Sequence, residues 1–447
     1  MALYNNRIKQ TNIHNMINKK SISLKCSMIC IILVAGFVLK ASGEVTTTAK
    51  DAVNSVIKVA TFDIDATPPV GYRLAYDECK GKWDLGLRAK GIVILGADQP
   101  LVLLSVDWIG IGNETHREFR RAIACAAGTI PERVTVHTIH QHDAPAGDMK
   151  NDFVLAVLHR IEMEIVKSLE NAQPVTHIGL GAAEVEKVAS NRRIFGPDGM
   201  VKATRYTATA DPALRAEPEG VIDPMVSVIT FWNEDKPVAV LSFYATHPQS
   251  YYRLGIANPD FPGVARFMRQ LAVPDAMHIH FNGAGGNIGA GKYNDGSHEN
   301  RLILAERLAA GMKKAYDTST KAALSQSAVN WRTETVSLPV DSVKDAELDS
   351  KVLKRFRISE TFDIGCLSLG NARILFMPGE LFVEYQLAAK AMRPDLYVAM
   401  AAYGDYSPGY IPTAEAFKTG GYEVSVSRLL PECENILMTA MNKLLAK

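Results

Sequence analysis

At 447 residues, 47% of them hydrophobic in type, the chain can bury a large core, and nothing in its composition suggests disorder. Its 49 lysines and arginines almost balance 48 acids, for a net charge of +1. The electrostatic footprint of a nucleic-acid partner is therefore missing, and the bulk field gives no hint of an acidic substrate.

The N-terminus differs from the rest. Lys9, Lys19, Lys20 and Lys25 precede an unbroken apolar run at 28–39, followed by Ala41-Ser42-Gly43. A basic segment, a short apolar segment and small residues are the parts of a cleaved signal peptide, expected over residues 1–43, with a polar linker at 44–55. Lys40 stops the run well short of the roughly 20 apolar residues that cross a bilayer. The expectation is export to the periplasm or the exterior, an oxidising setting. Cys26 and Cys30 would leave with the signal, and Cys79, Cys125, Cys366 and Cys433 remain without Cys-x-x-Cys spacing. These four are read either as one or two disulfides or as buried free thiols. Metal ligands are then to be sought among His, Asp, Glu and Tyr.

Beyond the linker, strands and helices alternate. Strands are expected at 57–64, 90–95, 101–108 and 134–138, with helices at 114–127 and 152–171. Further strands are expected at 178–189, 226–232, 238–245 and 278–282, around a helix at 262–271. A glycine-rich loop, a helix at 298–316, strands at 329–338 and 373–377, and helices at 380–392 and 425–445 complete the pattern. Such alternation predicts an α/β fold of mixed sheets flanked by helices, in one domain over 56–447. Residues 191–224 are the longest non-periodic stretch, expected to wrap over a site as an ordered loop.

Three strand ends carry chemistry. His140-Gln141-His142 follows the 134–138 strand, and histidines at i and i+2 on extended chain point to one side. They can share a metal, or one can bind it while the other handles protons. His247 follows the 238–245 strand in the same way. Glu380 follows a Pro-Gly break after a third strand, where it is either a ligand or an acid stabilised by a helix N-terminus. The segment Asn282-Gly283-Ala284-Gly285-Gly286-Asn287 lacks the spacing of a phosphate cradle, so close approach of backbones is expected there. His278 and His280 read as core residues. Tyr406, Tyr410 and Tyr422 stand in turn-rich chain, where phenols pack or, in a dry cleft, bind metal or donate to an oxyanion.

Taken in order, these motifs resemble the neutral/alkaline (non-lysosomal) ceramidases over nearly all of residues 57–425. The likeness begins at Asp63-Ile64-Asp65-Ala66-Thr67-Pro68-Pro69 and runs through Leu103-Leu104-Ser105-Val106-Asp107, the His-x-His turn and Asn191-Arg192. It continues through Ala245-Thr246-His247, the glycine-rich segment, Pro378-Gly379-Glu380, Gly409-Tyr410-Ile411-Pro412-Thr413 and Gly421-Tyr422-Glu423. The resemblance implies Zn2+ held by His140, His247, Glu380 and Tyr410. It implies that His142 moves protons at a scissile amide, and that Arg192 and Tyr422 contact the substrate carbonyl. The implied substrate is a small-molecule or lipid amide such as ceramide, with membrane contact peripheral at most. A zinc hydrolase of carbohydrates or esters and a non-catalytic binding protein are the alternatives. Two departures bear on substrate. Asp143-Ala144 stands where ceramidases have Ser-Gly in the pocket, and the C-terminal immunoglobulin-like domain of full ceramidases is not expected here.

Overall fold

Three mixed β-sheets turn one face each toward a shared apolar interior and cover the other with a pair of helices. The computed structural model describes residues 56–351 and 358–446, so the expected signal peptide and linker lie outside the described residues. All of these belong to the unit Ser55–Lys447.

The first sheet contains β1 (Lys58–Asp65), β2 (Arg88–Leu95), β3 (Leu101–Val106) and β4 (Val134–Thr138), ordered β4-β3-β2-β1. The second contains β5 (His177–Glu184), β6 (Met225–Asn233), β7 (Lys236–Tyr244) and β8 (Met277–Asn282), ordered β8-β7-β6-β5. The third contains β9 (Val329–Val336), β10 (Phe362–Leu369), β11 (Ala372–Phe376) and β12 (Tyr397–Ala401), in chain order. Each sheet is antiparallel except for one pair: β3 with β4, β7 with β8, and β11 with β12. Covering both faces explains why β3 reads Leu-Val-Leu-Leu-Ser-Val with every residue buried.

Ile92, Leu103, Phe231, Leu241, Ile374 and Ala399 belong to the interior shared by the three sheets. Outside the first sheet lie α1 (Asn113–Ala127) and α2 (Asp152–Leu169), which bury Phe119, Ile123, Val157 and Ile161 at helical spacing. Truncating Phe119 would cost about 3–5 kcal/mol, the usual range for a buried aromatic. Gly128, at φ 66°, ends α1 in the left-handed conformation. The Asn151 side chain caps α2 by accepting from the Phe153 amide. The second sheet is covered by α3 (Asp260–Ala272) and α4 (Asn300–Asp317), the third by α5 (Val383–Met392) and α6 (Cys433–Leu445). A buried bidentate pair, Arg266 to Asp107 at 2.7 Å for both contacts, ties α3 to the end of β3.

The parallel pairs matter for the site, because α/β folds gather ligands at the carboxyl ends of such strands. Here the ends of all three sheets are stitched together. The Thr138 amide donates to the Tyr403 carbonyl at 3.0 Å, and the Ala402 amide to the Asn282 carbonyl at 2.9 Å. The Asn282 side chain closes the triangle by donating to the Ile139 carbonyl at 3.2 Å.

Several boundaries differ from expectation. β10 and β12 were not anticipated: Phe-Asp-Ile-Gly-Cys-Leu-Ser-Leu carries a glycine, and Tyr-Val-Ala-Met-Ala two alanines, both poor strand formers. The strand expected to reach residue 189 ends at Glu184. The closing helix is broken into Tyr422–Val426 and α6, with Pro431 in the gap. Residues 191–224 form an ordered excursion with a small hairpin, Arg193–Phe195 against Val201–Thr204. Cys79, Cys125, Cys366 and Cys433 are free thiols. No helix among the described residues is long and apolar enough to cross a membrane.

Candidate metal centre and catalytic cavity

Beyond the strand ends, the chain is forced into unusual conformations that aim side chains at one point. His140 follows β4 at φ 66° and Tyr403 follows β12 at φ 59°, both in the left-handed region, where a non-glycine residue costs about 1–3 kcal/mol. Glu380 is not the first acid of a helix: Glu380–Leu381 pairs as a short parallel strand with Tyr410–Ile411, and α5 begins only at Val383. The glycine-rich segment packs beneath. A Cβ on Gly286 would lie 2.4 Å from the Glu380 carbonyl, so backbones approach there as the sequence implied.

His140, His142 and His247 form a buried group whose ligand atoms lie within 4.8 Å of one another, close enough to share an ion. The outer nitrogens orient two of the rings. His140 Nδ1 faces the Ile109 carbonyl at 2.8 Å, and His247 Nδ1 faces the Gly285 carbonyl at 2.7 Å. Those carbonyls require a proton on Nδ1, which leaves each Nε2 as the inward ligand atom, the usual arrangement behind a metal-binding histidine. Both Nε2 atoms stand 3.2 Å from one oxygen of Glu380, Oε2. That oxygen is buried without a hydrogen-bond partner, since the ring protons are committed elsewhere. The other, Oε1, accepts from the Tyr406 hydroxyl at 2.7 Å. Burial above all pushes His247 down to about 4. Two imidazole nitrogens and an orphaned carboxylate oxygen converging in this way fit a zinc ion.

His142 is held differently. Its Nε2 lies 3.1 Å from His140 Nε2, while Gln249 Nε2 stands 3.3 Å from its Nδ1. Gln249 Oε1 is occupied by the Thr207 hydroxyl, so the amide NH2 is the group facing Nδ1. A neutral His142 then carries its proton on Nε2, toward the site. Burial, followed by the neighbouring His140 and His247, lowers its pKa well below 6.5.

Arg192 stands beside His247. Its Nη1 donates to the Tyr410 hydroxyl at 3.1 Å and to the Gly286 carbonyl at 3.4 Å, and lies 3.5 Å from His247 Nε2. Its Nε is 3.4 Å from the fully buried Glu423, which also faces Arg193 at 3.6 Å. The Arg192 guanidinium sits 5.4 Å from the centre of the Tyr422 ring.

These groups line an open cavity of about 590 Å³, within the usual range for small-ligand sites. The structure brings together all seven residues singled out in the sequence. His140, His142, Arg192, Glu380, Tyr410 and Tyr422 line the cavity, and His247 stands behind them. The Tyr410 hydroxyl is placed against Arg192, whereas Tyr406 touches Glu380. Tyr406, Gln249, Tyr76 and Tyr252 also line the cavity and were not singled out as site residues. Tyr406 had a sequence signal, four residues before Tyr410 in the same turn-rich stretch. Gln249 had none. Asp143 does not line the cavity; its carboxylate accepts from the Gly255 amide at 3.0 Å and anchors that loop. A second cavity, of about 340 Å³, lies beside α1 and β10, where Arg120 pairs with Asp363 and Asp405 accepts from Ser359. It holds no converging ligand set.

No protein-family description matches the sequence, and no curated protein matches it. Solved structures do share its fold. The neutral ceramidase from Pseudomonas aeruginosa superposes with a TM-score of 0.63 at 15% identity, over 88% of this chain and 74% of that one. A ceramidase complexed with C2 gives 0.63 and 15%, over 87% and 74%. At that identity the likeness is one of architecture, and the chain has a neutral-ceramidase-like α/β fold.

Proposed function

We propose that the chain is a zinc-dependent hydrolase that cleaves the amide bond of an N-acyl compound. The observation that carries this reading is the convergence of His140 Nε2, His247 Nε2 and the unpartnered Glu380 Oε2 at the floor of an open cavity. These three, with Tyr410 as the fourth ligand implied by the resemblance, would hold the ion. When bound, zinc supplies Lewis acidity and lowers the pKa of a water molecule toward 7.

The remaining steps belong to side chains. Arg192 and Tyr422 donate to the carbonyl oxygen as negative charge develops on it. His142 takes up the proton of the attacking water and, from the doubly protonated ring, gives its Nε2 proton to the leaving nitrogen, so the ring ends neutral as it began. Glu423 holds the Nε side of Arg192, which leaves Nη1 directed into the site. The ceramidase-like architecture supports an amide as the scissile bond, and the orientation of His142 favours turnover over mere metal binding. The apolar run at 28–39 supports export through a cleaved signal.

The test is to load the purified chain with zinc, confirm the metal content, and follow amine release from a panel of N-acyl amines with and without a chelator. Chelator-sensitive amine release is expected. A protein that binds no zinc and releases no amine would refute the proposal.

A further inference from the structure

Two clusters of tyrosine rings line the cavity, and they differ in which chemical group they adjoin. In one, Tyr76 stacks on His142 at 5.6 Å, with Tyr252 edge-on to both at 5.6 and 5.8 Å. In the other, Tyr206 and Tyr422 meet edge to face at 5.8 Å beside the Arg192 guanidinium. Tyr252 and Tyr206 are each about half exposed, at 50% and 52%, so their rings present open surface at the mouth.

The rest of the lining is short of aliphatic groups. Six tyrosines line the cavity, against only Ala208, Pro408 and Val426. A long alkyl chain would find no aliphatic trough here. A phenol ring has an apolar face and a polar tip. Its complement is a ring with C–H groups on its face and hydroxyls round its edge.

We infer that the substrate is an N-acylated amino sugar with a short acyl group, its pyranose ring stacked on the half-exposed Tyr252. This rests on the amidohydrolase reading above and narrows it. The direction follows from the chemistry of the two clusters. His142 serves the leaving nitrogen, so the group attached to that nitrogen lies beside Tyr76 and Tyr252. Arg192 and Tyr422 serve the carbonyl, so the acyl group lies toward Tyr206 and Ala208. In the reaction the water oxygen bonds to the amide carbon and the C–N bond breaks. The short carboxylic acid leaves, and the amino sugar departs with the proton from His142.

The experiment compares three amides on the zinc-loaded protein: N-acetylglucosamine, N-acetylethanolamine, and a long-chain N-acylsphingosine in mixed micelles. N-acetylglucosamine is expected to be the preferred substrate. Tyr252→Ala should lower its kcat/KM about tenfold, leave N-acetylethanolamine within about twofold, and retain full zinc content. Tyr252→Phe, which keeps the ring, should restore turnover. Calorimetric binding of the product glucosamine, which needs no chemistry, should weaken about tenfold in Tyr252→Ala. Hydrolysis of the sphingosine amide alone would overturn the sugar assignment while leaving the amidohydrolase standing. Equal turnover of the two acetamides, indifferent to Tyr252→Ala, would overturn it as well. If none of the three is cleaved by zinc-loaded protein, the amidohydrolase reading falls too.

Discussion

His140 and His142 face each other nitrogen to nitrogen, Nε2 to Nε2 at 3.1 Å, yet their outer nitrogens are held by groups of opposite sense. A backbone carbonyl holds Nδ1 of His140, and an amide NH2 holds Nδ1 of His142. One ring therefore offers the centre a lone pair and the other offers a proton. Two residues apart on a single strand end, they are set for different work.

That difference predicts separable losses. His140→Ala and Glu380→Ala should each abolish zinc binding, because each removes one of three converging ligand atoms. His142→Ala should keep the metal and lower kcat by about 10²–10⁴, the usual worth of a positioned proton donor. Metal analysis beside steady-state kinetics decides it. Equal zinc loss in all three variants would refute the division of roles.

Gln249 sets which nitrogen of His142 carries the proton, so its removal should act through His142 alone. Gln249→Leu is expected to leave zinc content unchanged and to reduce kcat about 10- to 100-fold, with KM nearly constant. Gln249→Glu, which presents an acceptor to Nδ1 instead of a donor, should also lower kcat and shift its pH profile. An unchanged profile in both variants would remove Gln249 from the mechanism.

Gly286 offers a test of the scaffold under the ligands. A methyl group there would meet the Glu380 carbonyl at 2.4 Å and the Leu381 carbonyl at 2.8 Å, both of them backbone atoms that cannot swing aside. Gly286→Ala should destabilise the fold by about 1–3 kcal/mol, as overpacking does, and weaken zinc binding by displacing Glu380. Gly370→Ala provides the contrast. Gly370 has open space around it but a φ of 57°, so strain without a clash should lower stability while sparing zinc. Wild-type zinc affinity in Gly286→Ala would show that the ligand does not depend on this contact.

The strand-end histidines were legible because the sequence itself shows an apolar strand and then a polar residue with nowhere to hide. Glu380 was legible as a carboxylate after a Pro-Gly break, but its pairing with Tyr410 was not. A two-residue parallel strand between segments thirty residues apart leaves no periodicity to read. β12 was missed for a related reason: its alanines are tolerated only because the shared interior covers them, a property of the packed sheets rather than of the segment. Tyr252 and Tyr206 lie in loops without any pattern, so their places at the cavity mouth emerge only from the fold. Asp143 shows the converse. Its position beside His142 suggested a substrate group, while the folded chain turns it away to anchor Gly255.

The buried histidines outside the centre make the last prediction, on acid stability. Burial lowers His137, His278 and His280 each to about 3, against about 6.5 in an unfolded chain. With the folded pKa depressed, the unfolded state takes up the protons first. Their contribution to stability is therefore complete above pH 6.5 and is lost progressively as pH falls toward 3, by up to about 1.4 kcal/mol per pH unit for each ring. Asp143, raised by burial to about 6, works in the opposite sense and offsets part of this as pH falls below about 6 toward 3.8. The net expectation is a melting temperature that falls steadily between pH 6.5 and 5, where most carboxylates have yet to titrate. Melting curves on chelated protein keep the metal ligands from contributing a zinc-dependent slope. A melting temperature flat from pH 7 to 5 would mean that these rings are protonated as readily in the fold as out of it.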